Sequence, residues 1–196
     1  MLGEALSYFL HFYTLVYHIF VPCVDPEQLL VKSVDQHQYL GKWFFKAAVS
    51  RRAADISKFK MFDNIAFTME GTADRTLVLT GYMRMGDDCI KHNWTYHIQP
   101  GRDDMVLEGR TYRRNLLWNG TWANCQDCII FQEVEPPLKE TDSEDSLNRF
   151  MLYVRQKDVD SEVVTTFLRN SACHNMKESV RLPHEKGCFF NHKYTF

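Results

Sequence analysis

Hydrophobic and polar residues alternate along short stretches of this chain, and turn-forming residues separate the stretches. Such alternation is typical of β-strands that bury one face. The candidate strands are residues 43–50, 61–69, 75–85, 88–98, 104–110, 112–118, 127–133 and 148–155. The connections EGTAD, GDD, QPGRD, NGTWANC and EPPLKETDSED are rich in Gly, Pro, Asp or Asn, which favour turns. The pattern predicts eight strands joined mainly by tight connections.

Two other stretches depart from this alternation. Residues 51–60, between the first two strands, have room for a short turn of helix across one end of the sheet. Around residues 159–168, Asp160 or Ser161 is a suitable N-cap. Apolar residues then follow at helical spacing: Val163, Val164, Phe167 and Leu168. We predict one helix here, packed on the sheet.

Antiparallel strands in this number close naturally into an up-and-down barrel, because closure removes both sheet edges. The predicted fold is therefore an all-β, eight-stranded antiparallel barrel followed by an α-helix. The alternative is an immunoglobulin-like sandwich, but the Cys…Trp…Cys arrangement of that fold is missing. A barrel of this size holds either packed side chains or one small ligand.

Alternation also predicts which side chains point into the barrel. Along residues 88–98, His92, Trp94 and Tyr96 share one face and Asn93 lies on the other. The inner face would then carry two large aromatic side chains and an imidazole. The same rule groups side chains on one face of the fifth strand and of the eighth: Asp104, Val106, Glu108 and Arg110; and Arg149, Met151, Tyr153 and Arg155.

The N-terminal segment is apolar, whereas the remaining composition is that of an ordinary globular chain. Residues 5–21 contain no formal charge, although His11 and His18 interrupt them. This length is at the lower limit for a membrane span, and no basic cluster follows it, so a secretory signal fits better. The segment has Glu4 instead of a basic residue and no small-x-small cleavage site before Cys23. One hypothesis is therefore an uncleaved signal that lodges in a lipid surface; the other is cleavage at a poor site.

We accordingly divide the chain of 196 residues into a signal-like segment, 1–22, with an apolar helical character, and one domain, 23–196. The net charge of −2 and the lack of a Lys/Arg run argue against nucleic-acid binding.

Six cysteines agree with export into an oxidising compartment: Cys23, Cys89, Cys125, Cys128, Cys173 and Cys188. Spacing alone does not fix their pairing. The sequence Cys125-Gln-Asp-Cys128 lies between strands and lacks nearby His or Cys, so a structural disulfide is favoured over a redox motif or a zinc site. Asn93 and Asn119 begin N-x-T sequons and are candidate glycan acceptors. No metal site or cofactor is predicted.

Two sequence elements resemble the lipocalin family: Gly41-Lys42-Trp43 at the start of the first strand, and Arg155 at the end of the eighth. In that family the Trp closes the barrel floor and the Arg packs across it, so Gly41, Trp43 and Arg155 are expected to be structural. The family's Thr-Asp-Tyr element is not evident, which marks an outlying member.

Further stretches are similar, in order and spacing, to one group of plasma lipocalins: FDNIAFTM, RMGDDC, WTYHI, LEGR and RFMLYVR. The correspondence runs from about Cys23 to Cys188. The resemblance implies a secreted, extracellular, monomeric carrier that rides on lipoprotein particles such as high-density lipoprotein. It also implies a retained signal sequence as the anchor, and sphingosine 1-phosphate or a related lysophospholipid as the ligand.

The resemblance further implies roles for single residues. The family's phosphate site falls on Trp94 and Arg110, and a second family arginine falls on His92, where a protonated imidazole would largely replace it. Contacts to the ligand's amine and hydroxyls fall on Tyr153, Glu133 and Tyr96.

The same resemblance suggests the disulfides Cys23–Cys173 and Cys89–Cys188. The family's third bridge has one end near Cys125, but Val163 stands where its partner is expected, so Cys125–Cys128 would be the local substitute.

Each site residue also has a simpler interpretation. Arg110 would be a strand-end charge paired with Glu108, Glu133 a loop carboxylate, and the aromatic residues plain barrel packing. Retinoid or fatty-acid carriage needs no phosphate site, and a lipocalin-type isomerase needs a free thiol. All six cysteines can pair and no Ser/His/Asp constellation stands out, so the sequence predicts a carrier and not an enzyme.

Overall fold

The computed structural model describes residues 6–13, 23–29, 39–72, 75–136, 147–182 and 187–188. The strands of this part of the chain are β1 (Gly41–Ser50), β2 (Asn64–Thr72), β3 (Thr76–Met85), β4 (Asp88–Ile98), β5 (Met105–Leu107), β6 (Arg110–Asn119), β7 (Cys128–Glu135), β8 (Leu147–Val154) and β9 (Glu178–Arg181). The α-helices are α1 (residues 6–13), α2 (Ala53–Ile56) and α3 (Ser161–Cys173), and two 3₁₀ turns cover Ser57–Met61 and Gly120–Ala123.

Strands β1 to β8 form a closed antiparallel barrel. Consecutive strands are neighbours, and β1 completes the ring by pairing with both β2 and β8. The predicted eight-stranded up-and-down barrel with a C-terminal helix is confirmed, and the predicted strands differ from these by at most three residues at either end. The predicted helical turn between the first two strands is α2 with the 3₁₀ turn that follows it.

Strand β1 changes partners along its length. Gly41 to Phe44 pair with β2, and Ala47 to Ser50 pair with β9, a strand that the sequence pattern did not predict. Between these halves the register against β8 shifts, because Phe45 faces Tyr153 while Ala47 faces Leu152. Lys46 is the extra residue of this β-bulge. Bulges bend a strand and redirect side chains, and here the bend lies where β1 passes from β2 to β9.

Apolar side chains form two layers, one inside the barrel and one between the barrel wall and α3. Asp160 caps α3 by accepting a hydrogen bond from the backbone N–H of Glu162 at 2.9 Å. Phe167 is fully buried against the Trp122 ring, with ring centroids 5.8 Å apart. The predicted N-cap and apolar stripe are therefore confirmed, and the helix continues past the predicted end to Cys173.

The end of the barrel where β1 begins is closed by a tryptophan and an arginine. Trp43 is buried and donates from Nε1 to the carbonyl oxygen of Tyr39 at 2.9 Å. The Arg155 guanidinium lies 3.8 Å from the centre of the Trp43 ring. Gly41 has a φ of +97°, which favours glycine, and a Cβ there would lie 3.3 Å from an Arg155 nitrogen. The three residues form the barrel floor.

Disulfides join Cys23 to Cys173, Cys89 to Cys188 and Cys125 to Cys128. These are the pairings that the resemblance implies, and they leave none of the six cysteines free. The first of them fastens residues 23–29 to the end of α3. These residues also run beside β6, where the N–H of Leu29 donates to the Leu117 carbonyl at 2.9 Å.

The predicted fifth strand, 104–110, is wrong at both ends. β5 stops at Leu107, a turn follows at Glu108 and Gly109, and Arg110 begins β6. The φ of +76° at Gly109 allows this tight reversal. Asp104 consequently does not share a face with Arg110: it lies before β5 and accepts hydrogen bonds from Arg102 and Arg114.

The N-terminal helix α1 exposes a set of large apolar side chains. The exposed residues are Leu6, Tyr8, Phe9, Leu10, Phe12 and Tyr13. The remainder of the signal-like segment, residues 14–22, lies outside the described residues, so the predicted boundary at residue 22 stays a prediction. Among the helices described, none has the length and apolar character needed to cross a bilayer.

The two candidate glycan acceptors differ in solvent exposure. Asn93 is exposed on β4. Asn119 is partly buried and its side-chain oxygen accepts a hydrogen bond from the N–H of Thr121 at 3.0 Å, which caps the second 3₁₀ turn.

Candidate ligand-binding site

A cavity of about 530 Å³ occupies the barrel and reaches its open end, where β7 ends and β6 and β8 begin. Its size is within the range of small-molecule sites, which runs from about 300 to 1,000 Å³. Buried apolar side chains form its deeper wall: Phe67, Leu79, Leu107, Phe131 and Met151. Ionisable and hydrogen-bonding side chains gather nearer the mouth. The cavity can therefore hold an elongated apolar group with a polar end.

All six residues that the sequence analysis assigned to ligand binding line this cavity: His92, Trp94, Tyr96, Arg110, Glu133 and Tyr153. Trp94 and Tyr96 pack with the barrel core, as alternation predicts, whereas His92 is exposed; Asn93 and Thr95 also line the cavity. The His92 and Trp94 rings meet edge to face, with centroids 4.7 Å apart. Tyr96 lies deeper and is buried among the core residues.

Gly81 on β3 makes room for the Trp94 indole, a role that the sequence analysis missed. A Cβ atom at position 81 would lie 2.2 Å from one indole carbon and 2.7 Å from another, which no packed structure tolerates. The ring therefore lies directly over the glycine backbone. A glycine within a strand is the usual sign of such a close approach, so the signal was present in the sequence.

Arg110 is the exposed, cationic residue at the rim of the cavity. Its neighbours Arg113 and Arg114 on the same strand are paired with carboxylates. Arg110 is an exposed charge at the start of β6, as the simpler interpretation has it, but no ion pair with Glu108 is found among the described residues. A guanidinium in this position is available to an anion.

Glu133 belongs to an ion-pair network that crosses three strands. It faces Arg149 across the β7–β8 pair, and Arg149 Nε donates to its carboxylate at 2.7 Å. Arg113, on β6, places a guanidinium nitrogen 3.6 Å from the other carboxylate oxygen and bonds Glu135 at 2.9 Å. Glu133 is only 7% exposed and lies within β7, so the loop-carboxylate interpretation is wrong.

Arg149 also connects the cavity wall to the helical segment 53–61 at the mouth. Its guanidinium donates to the carbonyl oxygen of Asp55 at 2.7 Å and lies 4.9 Å from the centre of the Phe59 ring. Phe59 in turn stacks on Phe45, with centroids 5.0 Å apart. Arg149 shares its face with Tyr153, as alternation predicts, but its charge pairing depends on contacts that the sequence pattern does not show.

The family model of the ApoM domain matches residues 1–190 of this chain. The chain belongs to the ApoM family. The resemblance to lipocalins is thereby confirmed, and the match includes the apolar N-terminal segment.

Two siderocalins are among the solved structures that are similar to this ApoM-family chain. The siderocalin Ex-FABP, described as functioning through dual ligand specificities, is 13% identical with a TM-score of 0.58, covering 76% of this chain and 96% of its own. A second siderocalin, described as having a dual ligand-binding mode, is 14% identical with a TM-score of 0.61, covering 80% of this chain and 96% of its own. At these identities the likeness shows the lipocalin fold alone. Family and fold together identify a lipid-binding carrier of the lipocalin class.

Two tyrosines give the ApoM-family cavity neutral hydroxyl groups. Burial, followed by the nearby Glu133 carboxylate, raises the pKa of Tyr96 well above its ordinary value, and the same two causes raise the pKa of Tyr153. Both phenols therefore keep their protons at physiological pH. Among the described residues the Tyr153 hydroxyl donates to the Met151 sulfur, at 3.9 Å, which is a weak acceptor. A ligand hydroxyl would be a better partner.

The cavity contains groups that can bind a ligand, but it contains no free thiol that could act as a nucleophile. All six cysteines are in disulfides, so the free thiol that the isomerase alternative requires is absent. Within the described ranges, no grouping of three His, Cys, Asp or Glu side chains is close enough to hold a metal ion.

Proposed function

We propose that this ApoM-family protein is a secreted carrier of sphingosine 1-phosphate or a related lysophospholipid and that it travels on lipoprotein particles. One observation supports it above the others. The apolar cavity ends at Arg110, a guanidinium that has no carboxylate partner among the described residues. An alkyl chain gains about 0.8 kcal/mol for each methylene it buries, and a guanidinium binds phosphate through two parallel hydrogen bonds.

In this proposal the phosphate lies at the rim, between Arg110 and the His92–Trp94 pair. Arg110 supplies the charge and a forked donor, and the Trp94 indole supplies one N–H donor. His92, in edge contact with Trp94, completes the group and stands where the family has a second arginine.

The amine and hydroxyls of the ligand are assigned to deeper groups. The Glu133 carboxylate, held by Arg113 and Arg149, accepts the ammonium group. The neutral hydroxyls of Tyr96 and Tyr153 bind the ligand's hydroxyls. This assignment places opposite charges of a zwitterionic headgroup beside Arg110 and Glu133, and so favours a ligand that carries both.

Association with lipoproteins is assigned to α1 and the segment around it. A helix that exposes Phe9 and Phe12 together with Tyr8 and Tyr13 is suited to the interface of a lipid layer, where aromatic side chains are favoured. Six paired cysteines and two sequons suit a secreted protein. Deletion of residues 1–22 should move the protein from the lipoprotein fraction to the lipid-free fraction on density flotation.

The decisive experiment compares ligands with and without a phosphate on one pair of variants. Arg110→Ala should weaken binding of sphingosine 1-phosphate about tenfold or more, because a hydrogen-bonded charge pair is lost. It should leave sphingosine and retinol nearly unaffected. Arg169→Ala, on the exposed face of α3, removes the same charge far from the cavity and serves as the matched control.

Each possible result has a clear meaning. Equal loss of all three ligands from Arg110→Ala would indicate damage to the barrel and contradict the phosphate site. Tight retinol binding with no detectable sphingosine 1-phosphate binding by the wild type would favour the carrier of retinoids or fatty acids. Native mass spectrometry of the protein from its secretion medium would identify the bound lipid and the N-terminus together.

A further inference from the structure

A second cavity, of about 270 Å³, lies outside the barrel between β1, β9 and the start of α3. We call it the outer groove. Three cationic side chains, Lys46, Lys157 and Arg181, line it, and Asp158 is the one carboxylate among its lining residues. The groove is separate from the barrel cavity, since the two have no lining residue in common.

Lys46, the extra residue of the β-bulge of β1, lines this groove. On β1 the side chains of Phe45 and Ala48 belong to the barrel interior, whereas Ala47 belongs to the outer layer against α3. The extra residue places Lys46 on the outer side next to Ala47, where regular alternation would permit only one of them. Arg181 pairs with Ala47 across the β1–β9 ladder, so its backbone lies beside that of Lys46.

Lys46 is buried to an unusual degree for a lysine, with 3% of its surface exposed. Its ammonium donates to the backbone carbonyl of Lys157. No carboxylate of the described residues lies within ion-pair distance of it, although Asp158 is near enough to act through its charge. Burial lowers the pKa of Lys46, as expected for an ammonium removed from water without a direct ion pair. A buried cation of this kind is costly unless an anion compensates it.

The side chains and not the helix end supply the donors of the groove. Asp160 already occupies the N–H of Glu162 at the beginning of α3, so that backbone donor is taken. Lys157 and Arg181 are exposed and can close on a bound group, while Val159 and Val164 add apolar wall. Lysine and arginine together form the usual setting for a phosphate, and the apolar wall suits an organic group attached to it.

We propose that the outer groove binds the phosphate group of a phosphorylated organic molecule, with Lys46, Lys157 and Arg181 as its cationic contacts. The site is independent of the barrel cavity and of the function proposed for it. Its ligand is either the headgroup of an anionic phospholipid at a lipid surface or a soluble phosphate ester, which share this chemistry.

The test titrates the full-length, ¹⁵N-labelled protein with inorganic phosphate in an Arg110→Ala background, which removes the proposed barrel site. Saturable amide shifts are expected at Lys46, Ser161 and Arg181. The double variant Lys157→Ala/Arg181→Ala should weaken this binding about tenfold or more, because two charge-assisted contacts are lost. The control Arg169→Ala/Lys177→Ala removes the same charge from exposed positions outside the groove and should bind phosphate unchanged.

A vesicle experiment distinguishes the two sources of phosphate. A headgroup site gives stronger co-sedimentation with phosphatidylcholine vesicles that contain phosphatidic acid than with phosphatidylcholine alone, and only the groove double variant loses this gain. Saturable phosphate shifts without that gain identify a soluble ester. Shifts that do not saturate, shifts centred elsewhere, or an equal loss in the control variant would each overturn the proposal.

Discussion

A Cβ atom on Gly81 would lie 2.2 Å from the Trp94 indole, so the glycine on β3 determines where the tryptophan of β4 can lie. Gly81→Ala should displace the ring, at a cost of about 1–3 kcal/mol in the free energy of unfolding. It should also weaken lipid binding, since Trp94 lines the cavity. Urea denaturation and the indole N–H signal of Trp94 measure the two effects.

The companion variant tests the cause of that destabilisation. Gly81→Ala combined with Trp94→Leu should recover much of the stability lost by Gly81→Ala, because the methyl group then has space. If the loss in unfolding free energy of the double variant equalled the sum of the losses of the two single variants, the contact between the residues would not be the cause.

Glu133 allows the amine of the ligand to be tested separately from its phosphate. Glu133→Gln keeps the shape of the side chain and removes the charge beside Arg113 and Arg149. Affinity for sphingosine 1-phosphate, which has an amine, should fall relative to lysophosphatidic acid, which has none, by about tenfold in the ratio. Competition with a fluorescent lipid measures both. A parallel change for the two lipids would mean that Glu133 only holds the arginines.

The contact between Arg155 and Trp43 should stabilise the barrel floor without affecting the ligand. Arg155→Met keeps most of the side-chain length but loses the cation over the ring and the hydrogen bond to the Lys42 carbonyl at 3.3 Å. We expect a loss of about 1–2 kcal/mol in unfolding free energy and unchanged lipid affinity. Arg169→Met, on the surface of α3, is the control. Equal stability of the two variants would contradict a structural role for Arg155.

The free energy of unfolding should depend on pH through the Asp104 carboxyl. Burial tends to raise the pKa of this carboxyl, but hydrogen bonds from Arg102 and Arg114 and their charges outweigh burial and hold the pKa below its ordinary value of 3.8. The stabilisation is therefore present above the ordinary pKa and is lost as the pH falls through the lower, folded value.

Asp104→Asn consequently should lose about 1 kcal/mol at neutral pH, a modest figure because water screens the two half-exposed arginines. The difference between variant and wild type should shrink as the pH falls toward about 2. Urea unfolding across this range measures it. A difference that is constant with pH would show that the charge of Asp104 is irrelevant.

The disulfides should differ in how much they contribute to the free energy of unfolding. Cys23–Cys173 closes a loop with a sequence separation of 150, and Cys125–Cys128 one of 3. Loop-closure entropy then predicts a loss of about 5 kcal/mol for the Cys23→Ala/Cys173→Ala protein and about 2 kcal/mol for Cys125→Ala/Cys128→Ala. Denaturant unfolding of the two proteins gives the order, and the reverse order would contradict it.

Local patterns were sufficient for most of the fold. The eight strands and the α3 stripe follow from periodicities of two and 3.6 residues, which depend on neighbours along the chain. The inner face of β4, with Trp94 and Tyr96, was predicted for the same reason. β9 was not, because four residues that complete a ladder have no distinctive pattern of their own.

The sequence by itself determined that strands alternate, turn and close into a barrel, because each of these steps is local. Only the tertiary structure decided where alternation fails. At the bulge of β1, Lys46 and Ala47 both lie on the outer side, and at Gly109 a turn moves Arg110 from β5 to β6. It also decided that Arg113 and Arg149 converge on Glu133, since charges from three strands meet only when the barrel sets their register. The proposed ligand-binding groups depend on those non-local placements.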